Sequence, residues 1–176
     1  SRGECVCAEE NCSMQKTEKI NNNNRAAKAC ETEEDNRVDY VYKVKVENFT
    51  DALSTDRYTM RVVEVIKEGT YDDCKWKAGQ AKKTCDVAPE GKLRTFLSYQ
   101  HCRTALNLKI GKTYLIMGMA RDIHMDEEQG APLYILGERT WIEYWPTADE
   151  CETEEHKETC KGMKELVETT FKCPRK

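Results

Sequence analysis

The chain has 176 residues, of which 39% are hydrophobic and 34% charged, and it carries a formal net charge of −4. That is long enough for one domain with a real core and too apolar for disorder throughout. It is too acidic for a general nucleic-acid binder, whose phosphate contacts need a basic surface, and no run of about 18 apolar residues exists to span a membrane.

In chain order, residues 13–37 are polar, with an Asn tract at 21–24 and the acidic stretch ETEED, and read as a linker or long loop with a short helical piece around Arg25 to Cys30. DYVYKVKVEN alternates: Tyr40, Tyr42, Val44 and Val46 face one way, Lys43, Lys45 and Glu47 the other, which is the pattern of a half-buried strand. YTMRVVEVIKEG predicts a second strand, stopped at Gly69, and LRTFLSY a third. CRTALNL reads as one or two helical turns. GKTYLIMGM predicts a fourth strand, too apolar to face water on either side. DIHMDEEQG is expected to be a loop, and APLYILG and TWIEYW continue the sheet. From Asp149 the pattern changes. Met163, Leu166, Val167 and Thr170 recur at helical spacing, and Pro174 follows the end of that helix. Five or six short strands with terminal helices predict a mainly β fold, a small OB-like barrel.

Ten cysteines, at 5, 7, 12, 30, 74, 85, 102, 151, 160 and 173, point to an oxidising compartment, as do the sequons Asn48-Phe49-Thr50 and Asn11-Cys12-Ser13. Ser1-Arg2-Gly3 is followed by no apolar stretch of the kind a signal peptide carries. A piece cut from a longer secreted protein is the expectation. No C-x-x-C knuckle occurs and His101, His124 and His156 are scattered, which disfavours structural zinc and thiol redox chemistry and leaves disulfides. Cys151 and Cys160 flank the run ETEEHKET and are spaced to close a small loop; Cys74 and Cys85 bracket the lysine-rich KWKAGQAKKT. A bond between Cys5 and Cys7 would be strained.

Other clusters have bland readings. Lys75, Lys77, Lys82 and Lys83 around Trp76 resemble a polyanion site, but an exposed hairpin kept soluble by lysine is the simpler account. Asp122, His124 and Asp126 alternate in a polar stretch and read as surface before they read as a cation site. Trp141, Tyr144 and Trp145 read as packing at the core or barrel mouth before a partner anchor. Asn48 ends a strand and suits a glycan; Asn11 suits one less well.

The motifs CVCAEENC, KACE with VDYVYK, CRTALNLK, YLIMG, TWIEYWP, DEC and the terminal CP occur in one order from about Cys5 to Pro174. Together they resemble the C-terminal netrin-like domain of complement components three, four and five. CAEENC and VDYVYK are nearest the third component and TWIEYWP the fifth. The resemblance implies an OB-like barrel with terminal helices and no enzymatic activity, in three parts: an anchoring segment at 1–11, the netrin-like domain at 12–173 and a tail at 174–176. It implies the disulfides Cys12–Cys102, Cys30–Cys173 and Cys151–Cys160. Cys5 and Cys7 then bond to parts of the parent outside this chain. Cys74 and Cys85, in an insertion beyond the family pattern, are paired with each other. Cys102, so bonded, makes no nucleophile with His101, since attack needs a thiolate.

The resemblance also implies a docking platform in secreted plasma proteins of innate immunity, with no cofactor of its own. Its partners would be a factor B-like serine-protease zymogen, which holds Mg²⁺, and properdin, assembling the alternative-pathway convertase. In the family the C-terminal carboxylate ligates that Mg²⁺; here it would belong to Lys176, with Pro174 and Arg175 beside it. Two basic side chains next to a cation are electrostatically awkward, and the family pattern ends one residue sooner. The acidic run Asp149, Glu150, Glu152, Glu154 and Glu155 is a second candidate contact, with a solvated loop as its simpler reading. Two rival functions remain. Tissue inhibitors of metalloproteinases share the fold and begin C-x-C, but they grip zinc through a free cysteine amine, and here Ser1 to Glu4 precede Cys5. An OB-type oligonucleotide binder conflicts with the charge and the compartment.

Overall fold

The structure is a computed structural model that describes residues 12–13, 15–16, 21–68, 89–126, 128, 131–169 and 173. Its strands are β1 (Gln15–Lys16), β2 (Tyr40–Ala52), β3 (Thr55–Lys67), β4 (Leu93–Tyr99), β5 (Thr113–Gly118), β6 (Ile123–Asp126), β7 (Ala131–Ile135) and β8 (Trp141–Tyr144). Helix α1 spans Asn22–Ala29, α2 Arg103–Leu106 and α3 Lys157–Thr169. All eight strands share one sheet in the order β1-β8-β5-β2-β3-β4-β7-β6. The pairs β1–β8 and β4–β7 are parallel and the rest antiparallel.

The sheet curls on itself. Tyr42 on β2 and Tyr134 on β7 lie three strands apart in the order, yet their hydroxyls meet at 2.8 Å and their rings at 5.7 Å. Tyr40 packs edge-on against the same Tyr134 ring at 5.2 Å. Gly118 permits this closure, because a Cβ there would strike the Tyr40 ring and hydroxyl. The enclosed core holds Tyr40, Tyr42, Val44, Val46, Tyr58, Met60, Val62, Phe96, Tyr114, Ile116, Tyr134 and Ile142. This is the mainly β, OB-like architecture with terminal helices that the strand pattern predicts.

A second core lies outside the barrel, where α1 and α3 cover the sheet: Ala29, Val38, Val41, Leu115, Met117, Met163 and Leu166. It explains why β5 is apolar throughout. Tyr114 and Ile116 face the barrel while Leu115 and Met117 face the helices. Of the α3 residues named above, Met163 and Leu166 are buried and Val167 half-buried; Thr170 lies outside the described residues.

The structure departs from the sequence expectation in four places. Asn48, expected to end a strand, lies within β2, which runs on to Ala52. The Asn tract is no linker. Asn21 caps α1, its side chain accepting from the Asn23 amide at 2.8 Å, and the other asparagines form the first turn. Ile123–Asp126, expected as loop, pairs with β7 because buried Ile123 alternates with exposed His124. Gln15–Lys16 adds a short strand beside β8. Among the described residues these two strands raise the count from the expected five or six to eight.

Candidate docking surface

Among the described residues there are three disulfides, and two of them, Cys12–Cys102 and Cys30–Cys173, tie the ends of the chain to the rest of the fold. Cys12 bonds Cys102, at the end of the single 3-10 turn that follows β4. Cys30, the C-cap of α1, bonds Cys173 and so fixes the last described residue against the helical layer. Cys151 bonds Cys160, joining a 3-10 turn (Glu150–Glu152) to α3. Cys5, Cys7, Cys74, Cys85, Asn11, Pro174, Arg175, Lys176 and the lysines around Trp76 lie outside the described residues. Among the described residues the one metal-type cluster is Cys12, His101 and Cys102. Its two sulfurs are bonded to each other, so neither is the thiolate a metal needs. Asp122, His124 and Asp126 do not bring three ligand atoms together.

The acidic run divides by role. Asp149, Glu152, Glu154 and Glu155 are exposed, whereas Glu150 is half-buried and turns inward. Its Oε1 accepts from the Thr147 amide at 2.9 Å and from the Tyr144 hydroxyl at 2.5 Å. The Thr147 amide, then the Tyr144 hydroxyl, hold its carboxyl below the usual glutamate range. Burial and Glu150 together push the Tyr144 hydroxyl up to about 12. Glu150 therefore braces the loop, and the other four carboxylates present an outward negative patch beside Cys151–Cys160.

The aromatic trio is covered by lysines. Lys16 lies 5.0 Å over Trp141, Lys43 4.6 Å over Trp145 and Lys112 5.9 Å over Tyr144. Trp141 and Trp145 pack on the helical core, and Trp141 also donates to Glu143 Oε1 at 3.1 Å. Packing, the simpler reading, fits this arrangement. The polar groups that fix the helical layer are not legible in the sequence. Lys67 donates to the Ala29 and Val38 carbonyls at 2.9 and 2.7 Å, closing the end of α1. Buried Asp39 accepts from the Ala120 amide at 2.7 Å.

Fold and surface together define a disulfide-stapled barrel module with charged loops. The chain belongs to the netrin-like family: the UNC-6/NTR/C345C module matches residues 27–82 and 78–158. It is 42% identical over 174 residues to Complement C3 of Oncorhynchus mykiss, 38% over 173 residues to Venom factor of Crotalus adamanteus and 36% over 173 residues to Cobra venom factor of Naja kaouthia. Each match covers 97% of this chain and 9% of the relative, so the chain spans about a tenth of the length of these proteins. In complement C3 homologues this module is non-enzymatic. Among solved structures, Schizosaccharomyces pombe Pot1pC bound to ssDNA aligns over 74% of this chain and 91% of its own, at 12% identity and a TM-score of 0.37, a likeness too remote to argue from.

Proposed function

We propose that this module is a protein-docking platform of a larger, secreted complement protein, and that it binds a factor B-like serine-protease zymogen and properdin in assembling the alternative-pathway convertase. The observation that carries this reading is similarity to Complement C3 and venom factors across 97% of the chain. The three disulfides among the described residues support an extracellular setting. Cys5 and Cys7 would bond to the rest of the parent.

The zymogen would bring its own Mg²⁺, a hard cation that takes oxygen ligands, and the carboxylate of Lys176 would supply one. Cys30–Cys173 supports that role by fixing the point from which Pro174, Arg175 and Lys176 depart. The basic Arg175 and Lys176 side chains call for acidic groups on the partner. Asp149, Glu152, Glu154 and Glu155 would steer a basic surface toward the module and speed encounter. Removing Lys176 or amidating its carboxylate tests the ligand. Mg²⁺-dependent zymogen binding should fall at least tenfold, and unchanged binding rules the carboxylate out.

A further inference from the structure

The β2 strand contains a fault that decides which way its sequon points. Up to Val46 the even-numbered residues face the core: Tyr40, Tyr42, Val44 and Val46 are all buried. Strict alternation would send Asn48 inward and Phe49 outward. Instead the register steps from Val46↔Met60 to Asn48↔Thr59, two residues on β2 against one on β3, so Glu47 is the extra residue of a bulge. The parity flips. Glu47 and Asn48 are both exposed, Phe49 turns in to pack on Tyr58 at 5.1 Å, and Thr50 is exposed again. Asn48 and Thr50, the two chemically essential members of the sequon, thus share the outer face. The inward residue between them anchors the segment, with Arg103 stacked 5.0 Å over the Phe49 ring.

We propose that Asn48 carries an N-linked oligosaccharide that covers the free edge of β2. The Asn48 side chain makes no hydrogen bond among the described residues, and its surroundings are polar, with Glu47 and Arg61 paired at 3.2 Å. The edge needs cover. β5 pairs with β2 only from Tyr40 to Lys45, and the turn before β5 adds bonds at Val46. From Asn48 to Ala52 no strand among the described residues occupies that side. An unpaired edge is a template for pairing with another chain, and a bulky hydrated sugar at its start blocks approach. The other sequon differs: Ser13 is buried, its hydroxyl donating to the Gly137 carbonyl.

The test is secretion of the full chain from cultured animal cells, followed by intact mass and peptide mapping before and after enzymatic removal of N-glycans. One oligosaccharide on the Asn48 peptide is expected, lost in Asn48→Gln and in Thr50→Ala and kept in Thr50→Ser. Backbone amides of Asn48–Ala52 should exchange with solvent deuterium more slowly in the glycosylated chain than in the chain stripped after folding by an endoglycosidase, which leaves Asn48 as an asparagine bearing one sugar. An unmodified Asn48 overturns the site, and equal exchange overturns the covering role.

Discussion

Arg25 and Glu143 form a buried ion pair that fastens helix α1 to strand β8. Arg25 Nε donates to Glu143 Oε1 at 2.8 Å and Nη2 to Oε2 at 2.5 Å. Arg25 is wholly buried and Glu143 4% exposed. Asn22 Oδ1 accepts from Arg25 Nη1 at 2.7 Å, so each nitrogen of the guanidinium has a partner. Glu143→Ala would strand a buried cation and should cost about 3–5 kcal/mol, whereas the double change Arg25→Met, Glu143→Leu should be far milder. Urea unfolding of the three proteins checks the order.

Directly over this pair, Gly162 lets α3 approach α1. A Cβ there would collide with Asn22 Oδ1 and Arg25 Nη1. Alanine is the better helix former by about 1 kcal/mol, yet the overpacking should outweigh it, for a net loss of roughly 1–2 kcal/mol. Gly137→Ala, where a Cβ meets nothing within 4 Å, should stay within about 0.5 kcal/mol and serves as the control. Thermal midpoints distinguish the two.

The disulfides should rank by the loop each closes. Cys12–Cys102 spans 90 residues and Cys151–Cys160 spans 9. The chain-entropy model assigns them roughly 4–5 and 2–3 kcal/mol. Double serine replacement of Cys12 and Cys102 should therefore lower the unfolding midpoint more than that of Cys151 and Cys160. The reverse order would mean that the acidic loop depends on its disulfide enthalpically.

The brace at Glu150 predicts a pH response. Its folded carboxyl titrates below its unfolded value, through the Thr147 amide first and the Tyr144 hydroxyl second. The stabilisation is thus present above the unfolded pKa and is lost as the pH falls through the folded one. Tyr144→Phe should raise the Glu150 pKa toward the ordinary glutamate range. A carboxyl-carbon NMR titration reads the shift, and an unmoved pKa would show that the hydroxyl contributes nothing.

Much of this architecture is legible in the residues. Alternation marks β2, continuous apolarity marks β5 as covered on both faces, and helical spacing of Met163 and Leu166 marks α3. What hides does so for physical reasons. The bulge at Glu47 has no local signature, since a polar residue between strands of the same composition looks like alternation with one error. Arg25 and Glu143 are 118 positions apart, and a buried pair that remote reads as two ordinary surface charges. The acidic run shows as a run, but that Glu150 alone turns inward depends on where Tyr144 and the Thr147 amide lie. Spacing suggests Cys151–Cys160, but the long-range cysteine pairs follow only from the family resemblance, because ten cysteines admit far too many connectivities for spacing to choose among.

The docking account is tested most directly by equilibrium binding of the full chain to a purified factor B-type zymogen, measured in Mg²⁺ and again with the metal chelated. The account predicts saturable binding in Mg²⁺ that chelation abolishes. A correctly folded, fully disulfide-bonded chain that binds no more zymogen with Mg²⁺ than without it would contradict it.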